Sequence, residues 1–228
     1  MIVTGVGRKG QVGDFVARTF ATLGAFVVAV DHDGSEVNAR VDELQAAGLK
    51  GQAYECDLTS EAAVSTLASA ILNKFERVDA LINLAGGFSM GGPLADSDFQ
   101  LWQRQFAINL TTAYLATRAL LPLLRPARGS IVYMSSAAAL PGAKVAEMSA
   151  YAAAKGGVIT LMRAVAEEER ERGVRANALA PSAIRTAANV ETMGESRSYV
   201  SREEVAATIT LLCSEEARPI TGQVIAMG

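Results

Sequence analysis

A short apolar run, Met1-Ile-Val-Thr4, is followed at once by a glycine-rich turn, Gly5-Val-Gly7-Arg-Lys-Gly10-Gln-Val-Gly13. Phe15, Val16, Phe20 and Leu23 then recur at helical spacing as far as Gly24. A second apolar run, Ala25-Phe-Val-Val-Ala-Val30, ends in Asp31. Strand, glycine turn, helix, strand, acid restricts the fold more than any other stretch, because two parallel strands joined through a helix begin a parallel sheet. The order is that of a dinucleotide-binding unit. Glycines let the backbone approach a pyrophosphate, and the helix N-terminus offers it unpaired N–H groups. An acid at the end of the second strand accepts hydrogen bonds from ribose hydroxyls; Asp31 lies 21 residues after Gly10.

The rest of the chain continues the alternation. Val37 to Ala47 is amphipathic, Gln52 to Glu55 reads as a strand, and Cys56-Asp57-Leu58-Thr59 leaves its end. A helix runs from there to about Phe75, with Asp57, Thr59 and Ser60 all competent to cap it. Val78 to Ile82 is a fourth strand, followed by Asn83-Leu-Ala-Gly-Gly87 and a glycine-rich loop to Asp96. A long helical pattern carries Trp102, Phe106, Ile108, Leu110, Tyr114 and Leu115 and stops near Pro122. Strands follow at 130–135, 174–179 and 222–227, with helices from about Tyr151 to Arg172 and from Arg202 to Cys213. The charged run Glu167 to Arg172 reads as a solvated face, and residues 187–200 read as polar and irregular. The expectation is an α/β protein: a doubly wound parallel sheet of about seven strands with helices on both faces, forming one domain over residues 1–228.

Composition removes several functions. The formal net charge is -3 with no basic block, so a nucleic-acid role has no electrostatic footprint. No apolar run is long enough to span a bilayer, and the first strand begins where a leader would. Cys56 and Cys213 have neither ligand nor disulfide spacing and read as small core residues, so a cytoplasmic location is expected. His32 is the single histidine, which excludes a histidine-based zinc site; no metal is expected.

Chemistry gathers around Tyr151-Ala-Ala-Ala-Lys155. Four residues apart on a helix, the two side chains share a face. An ammonium beside a phenol favours the phenolate and lowers its pKa from about 10, making Tyr151 a proton donor and acceptor nearer neutral pH. Ser136 follows the apolar run Ile131-Val-Tyr-Met, so its hydroxyl belongs at the carboxyl end of a buried strand, where open α/β sheets place ligands. Asn109 sits within a helical pattern although asparagine is a mediocre helix former, and a buried amide there needs partners or a role.

The order Thr4-Gly5, Asp31, Asp57, Asn83-x-Ala-Gly86, Asn109, Ser136, Tyr151-x-x-x-Lys155, Asn177, Pro181, Thr186 resembles the short-chain dehydrogenase/reductase family over essentially the whole chain. The resemblance implies an NAD(P)-dependent oxidoreductase that moves a hydride between nicotinamide and a carbonyl or alcohol. It implies that Tyr151 is the general acid/base, that Lys155 lowers the tyrosine pKa and binds the nicotinamide ribose, that Ser136 hydrogen-bonds the substrate oxygen, and that Asn109 holds a proton-relay water. It further implies cofactor contacts from Gly5, Gly7, Arg8, Gly10 and Val12 in the first turn, from Asp31, and from Asp57 and Leu58 at the adenine. Asn83, Ala85 and Gly86 would line the trench, with Tyr151, Lys155, Pro181, Ile184 and Thr186 around the nicotinamide half.

Four departures from the family pattern stand out. The turn after Thr4-Gly5 is expanded, with Val12-Gly13 aligning to the family's Ile-Gly. Ser136 precedes Tyr151 by 15 residues, two more than usual, which implies a longer loop and keeps Ser135 as the fallback. Pro181 is followed by Ser182 where glycine is usual, acceptable only if that position does not need a positive φ. The 15 residues 187–201 make a short substrate lid. Asp31 repels a 2′-phosphate and favours NAD(H), although Arg8 and Lys9 stand in the turn and His32 follows the acid. A 3-oxoacyl thioester or a generic ketone is expected as substrate, with a dihydropteridine-reductase-like activity as the alternative. A dinucleotide sensor without turnover is the reading from another class; the complete Ser136, Tyr151, Lys155 and Asn109 set argues against it. The resemblance also implies pairing of the Trp102 and Tyr151 helices in a homodimer or homotetramer.

Overall fold

In the computed structural model, which describes residues 1–195 and 198–228, seven parallel strands form one sheet in the order β3-β2-β1-β4-β5-β6-β7. The strands are β1 (Ile2–Thr4), β2 (Val27–Asp31), β3 (Gly51–Glu55), β4 (Ala80–Asn83), β5 (Ser130–Met134), β6 (Arg175–Pro181) and β7 (Val224–Met227). The helices are α1 (Val12–Thr22), α2 (Gly34–Ala46), α3 (Glu61–Leu72), α4 (Phe99–Phe106), α5 (Thr112–Leu124), α6 (Ser149–Glu168), α7 (Ala187–Met193) and α8 (Arg202–Cys213). This is the expected doubly wound architecture.

Strand side chains alternate between two cores. Ile2, Leu81, Ile131 and Tyr133 face one core with Val64 and Ile71 of α3, Leu120 of α5 and Met162 of α6. Val3, Ile82 and Val132 face the other with Val16 and Phe20 of α1, Val41 of α2 and Ile209 of α8. A sheet buried on both faces explains why its strands read as continuous apolar runs. The strand order reverses direction between β1 and β4, which pair Thr4 with Asn83. A crevice outside the carboxyl ends of these two strands is where such sheets bind ligands. Thr4 Oγ1 donates to the Ile82 carbonyl and accepts from the N–H groups of Leu84 and Ala85, tying the two turns together.

The structure corrects several sequence expectations. Residues 187–193 are the helix α7, because Thr186 caps it through Asn189 N–H at 3.2 Å. The long helix around Trp102 is α4, a π-helical turn over Ala107–Thr111, and α5, which continues past Pro122. α3 stops at Leu72 and α6 at Glu168. Glu169 is not solvated. It is buried, and its carboxylate is held by Arg125 through two hydrogen bonds of 2.8 and 2.9 Å and by Arg172 at 3.4 Å. That pairing holds its carboxyl below the usual range. No helix among the described residues is long and apolar enough to cross a membrane.

Candidate active site

The turn after β1 is pinned from outside itself. Gly7 N–H donates to Asp31 Oδ2 at 2.8 Å, and Gly10 N–H donates to Asp14 Oδ2 at 2.8 Å. Asp31 Oδ1 accepts from Asp33 N–H at 3.2 Å and lies 2.8 Å from His32 Nδ1. Arg8 and Lys9 project to solvent, where Lys9 is 2.9 Å from Glu43. Val12 opens α1, whose N-cap Gln11 makes no side-chain cap bond. Gly13 is where the helix is packed hardest onto the turn: a Cβ there would collide with the Gly5 carbonyl, so the helix lies against the strand only because this residue is glycine.

Asp57 and Leu58 leave β3 on the same side. Asp57 accepts from Thr59 N–H at 2.9 Å and Thr59 Oγ1 at 2.6 Å, which holds its carboxyl low, while Ser60 caps α3. Asn83 is buried and donates to Thr117 Oγ1 at 3.2 Å; Thr117 in turn bonds the Tyr133 hydroxyl at 2.8 Å. Ala85 and Gly86 form the turn after β4. A Cβ on Gly86 would sit 2.6 Å from Asn109 Oδ1 and 3.4 Å from Lys155 Nζ, so both side chains close on this glycine.

Asn109 is held in the π turn. Its Oδ1 accepts from Gly87 N–H at 3.1 Å, and its Nδ2 donates to the Gly87 carbonyl at 2.9 Å. Nδ2 also reaches the Gln105 carbonyl at 3.0 Å and Gln105 Oε1 at 3.2 Å. The mediocre helix former thus sits where the helix widens, a feature frequent at functional sites. Gln105 was not singled out from the sequence; its position four residues before Asn109 on one helical face is the signal that could have found it.

Ser136, Tyr151 and Lys155 meet beyond the end of β5. Ser136 caps a short 3₁₀ turn, Ala137–Ala139, and this turn with the loop to Met148 absorbs the two extra residues before Tyr151. Ser135 faces elsewhere: its Oγ donates to the Lys155 carbonyl at 2.9 Å. Lys155 Nζ donates to the Met134 carbonyl at 2.8 Å and lies 5.8 Å from the Tyr151 ring centre. The Phe88 ring stands at 86° to that ring, with centres 4.9 Å apart.

The Tyr151 pKa is raised rather than lowered as the motif suggests. Burial pushes the phenol up, and the hydrogen bond with Ser136 draws it only part of the way back. Burial also pushes the Lys155 ammonium down to about 8. A dry site opposes both the phenolate and the ammonium.

Pro181 ends β6 and pairs with Met227. Ser182 is not among the positive-φ residues, so a serine fits there without strain. Ile184 bridges to Val200, and Asn189 Nδ2 donates to its carbonyl at 2.8 Å. Thr186 is buried at the start of α7. Asn177 is buried in the sheet and ties β6 to the loop before β7 through Ile220 and Gln223. A cavity lined by Met1, Phe26, Phe75 and Cys213 opens at the amino ends of the strands, away from all of these residues.

The donor set suits a dinucleotide. The first turn of α1 has no side-chain cap, an oriented carboxylate stands at the end of β2, and glycine brings the β4 turn up to Lys155.

Comparison with known proteins agrees with this geometry. The model of a family described as enoyl-(acyl carrier protein) reductase matches residues 5–227. A Mycobacterium tuberculosis reductase of a hydroxy-methyl-oxo-hexahydroindene-carboxyl-CoA is 36% identical, covering 100% of this chain and 90% of the relative. The 7alpha-hydroxysteroid dehydrogenase of Escherichia coli is 30% identical over 98% of this chain and 90% of its own. A short chain dehydrogenase from Mycobacterium smegmatis superposes with a TM-score of 0.86 at 34% identity, covering 100% of this chain and 90% of that one.

Proposed function

The chain belongs to the short-chain dehydrogenase/reductase family and is an oxidoreductase of that type, and from that premise we propose that it interconverts a ketone and a secondary alcohol with Tyr151 as the general acid/base. The observation that carries this reading is the convergence of Ser136, Tyr151, Lys155 and Asn109 beside the point where the strand order reverses. One domain carries both the cofactor trench and these residues.

A nicotinamide cofactor supplies the hydride chemistry when bound. Asp31 would receive the adenosine ribose; Gly5, Gly7, Arg8, Gly10 and Val12 would receive the phosphates; Asp57 and Leu58 would flank the adenine. Asn83, Ala85, Gly86, Tyr151, Lys155, Pro181, Ile184 and Thr186 would line the remainder. Ser136 donates its hydroxyl hydrogen to the substrate oxygen and stabilises charge that develops there. The raised pKa of Tyr151 keeps its phenol protonated at neutral pH, ready to give that proton to the substrate oxygen in the reductive direction. Lys155 supplies positive charge beside the tyrosine, and Asn109 clamps the turn at Gly87 and would hold the water of a proton relay.

NAD(H) is favoured over NADP(H). Both oxygens of Asp31 are oriented by Gly7, Asp33 and His32, and a carboxylate held in this way at the end of β2 would repel a 2′-phosphate. Lys9, one of the two cations in the turn, is engaged by Glu43. For the substrate, the Phe88 ring beside Tyr151 and the ring-bearing substrates in the relatives' names support a ketone on an apolar ring scaffold. The enzyme works in the cytoplasm, where the thiols of Cys56 and Cys213 stay reduced, and as a homodimer or homotetramer; light scattering that returns a mass near 23.9 kDa would remove the oligomer.

Thermal unfolding with matched NADH and NADPH tests the reading. A ligand at 100 times its dissociation constant stabilises a fold by about 2.7 kcal/mol. NADH is expected to raise the midpoint more than NADPH. A shift with NADPH alone would reverse the assignment of Asp31, and no shift with either would remove the enzyme reading.

A further inference from the structure

We propose that Arg202 is a positioning residue that sets the expanded glycine turn for the dinucleotide and couples it to the segment carrying Ile184 and Thr186. The proposal rests on the cofactor-binding reading above. Arg202 is the first residue of α8, yet its Nη1 donates to the Gly10 carbonyl at 2.6 Å, 192 positions away in the chain. Its guanidinium also lies 5.4 Å from the ring centre of Phe15, in the first turn of α1. One side chain therefore grips both ends of the passage from turn to helix.

Gly10 is held through both of its backbone groups: Asp14 takes its N–H and Arg202 its carbonyl. Gly7 is held by Asp31. Between these anchors Arg8 and Lys9 are exposed, so the exposed part of the expanded turn is bracketed by fixed points. A longer turn has more conformations to lose on binding, and pre-ordering it lowers that cost. Arg202 makes a charge-assisted bond to the carbonyl, the stronger kind of hydrogen bond.

The other side of Arg202 leads to the substrate half. Ser201 caps α8 in a reciprocal arrangement with Glu204, which fixes the start of that helix. Val200, two residues before Arg202, is buried and pairs with the backbone on both sides of Ile184. Its N–H donates to the Ala183 carbonyl at 2.9 Å, and its carbonyl accepts from Arg185 N–H at 2.8 Å. Residues 200–202 thus join the phosphate turn to the segment that ends at Thr186 by three consecutive, separately anchored positions.

The test is Arg202→Met, which keeps an unbranched stem against Phe15 and removes the donor, with Arg202→Lys as the conservative variant. NADH affinity is read by nucleotide fluorescence, KM and kcat by steady-state kinetics, and stability by the unfolding midpoint without nucleotide. Arg202→Met is expected to weaken NADH binding and raise its KM at least tenfold, with kcat at saturating NADH within threefold and the midpoint within a few degrees. Arg202→Lys should recover at least threefold of that affinity. NADH binding to Arg202→Met at wild-type strength overturns the proposal, as does a lowered midpoint with unchanged affinity, which would make the contact structural. If the wild-type protein itself binds neither nucleotide, the cofactor reading falls first; the two failures are told apart by the wild-type titration.

Discussion

Lys155 and Glu169 are both buried charges on or just beyond α6, about 20 Å apart along the helix axis at its usual rise, and the protein treats them in opposite ways. Glu169 receives a two-point clasp from Arg125 and a further contact from Arg172, and its carboxyl is held low, in its charged form. Lys155 receives one backbone carbonyl, and burial pushes its ammonium down to about 8. A buried ion that serves only the fold is neutralised by a partner. One held without a counter-charge keeps its electrostatic influence for whatever enters beside it, which is where perturbed groups mark function.

The largest expected effect comes from removing the uncompensated charge. Lys155→Met should lower turnover by roughly 10²–10⁴-fold, the span of acid–base catalysis, and assays at saturating cofactor measure it. The same variant sharpens the contrast through pH. The folded pKa of Lys155 lies below its unfolded value, so the unfolded chain binds more protons between pH 8 and 10.5, and this residue's contribution to stability rises with pH across that window. The unfolding free energy of the wild type, relative to Lys155→Met, should gain on the order of 3 kcal/mol over those pH values. A flat difference in urea titrations would show that the ammonium is not desolvated.

Next in size is the serine pair. Ser136→Ala should cost about 10²-fold in kcat with little change in stability, whereas Ser135→Ala should cost about 1 kcal/mol of stability and leave chemistry nearly intact. Equal kinetic effects would mean that the loop before Tyr151 presents either hydroxyl. Arg125→Ala tests the compensated charge. Because Arg125 is 39% exposed, the loss is expected at about 1–3 kcal/mol, between the value for an exposed pair and that for a fully buried one. NADH affinity should not move, and calorimetry with a parallel titration would show whether it does.

The fold was legible because it is written in local periodicity. Apolar runs closed by glycines gave the strands, and the position of Asp31 after the first glycine turn fixed the parallel unit. The chemical groups were legible for a related reason: Tyr151 and Lys155 are four residues apart on α6, and Ser136 directly follows a strand. What escaped was set by distant partners. Glu169 reads as part of a solvated run, and the distant partner Arg125, just beyond α5, is what makes it a core residue. Nothing near Arg202 in the chain points to Gly10. The direction of the Tyr151 shift also depends on how deeply the completed site buries it, which the spacing of the motif does not carry. α7 was missed because its seven residues are too short and polar for a periodic pattern, although Thr186 and Asn189 form its cap.

The measurement that bears most directly on the central claim is turnover and NADH binding by Tyr151→Phe, with a ring ketone as substrate. The geometry around Ser136 and Lys155 predicts that turnover falls by at least about 10²-fold while NADH binding survives, since the phenol oxygen is needed for proton transfer and Tyr151 is only one of the many residues that line the trench. A Tyr151→Phe protein that keeps most of its turnover would contradict the assignment of Tyr151 as the acid/base.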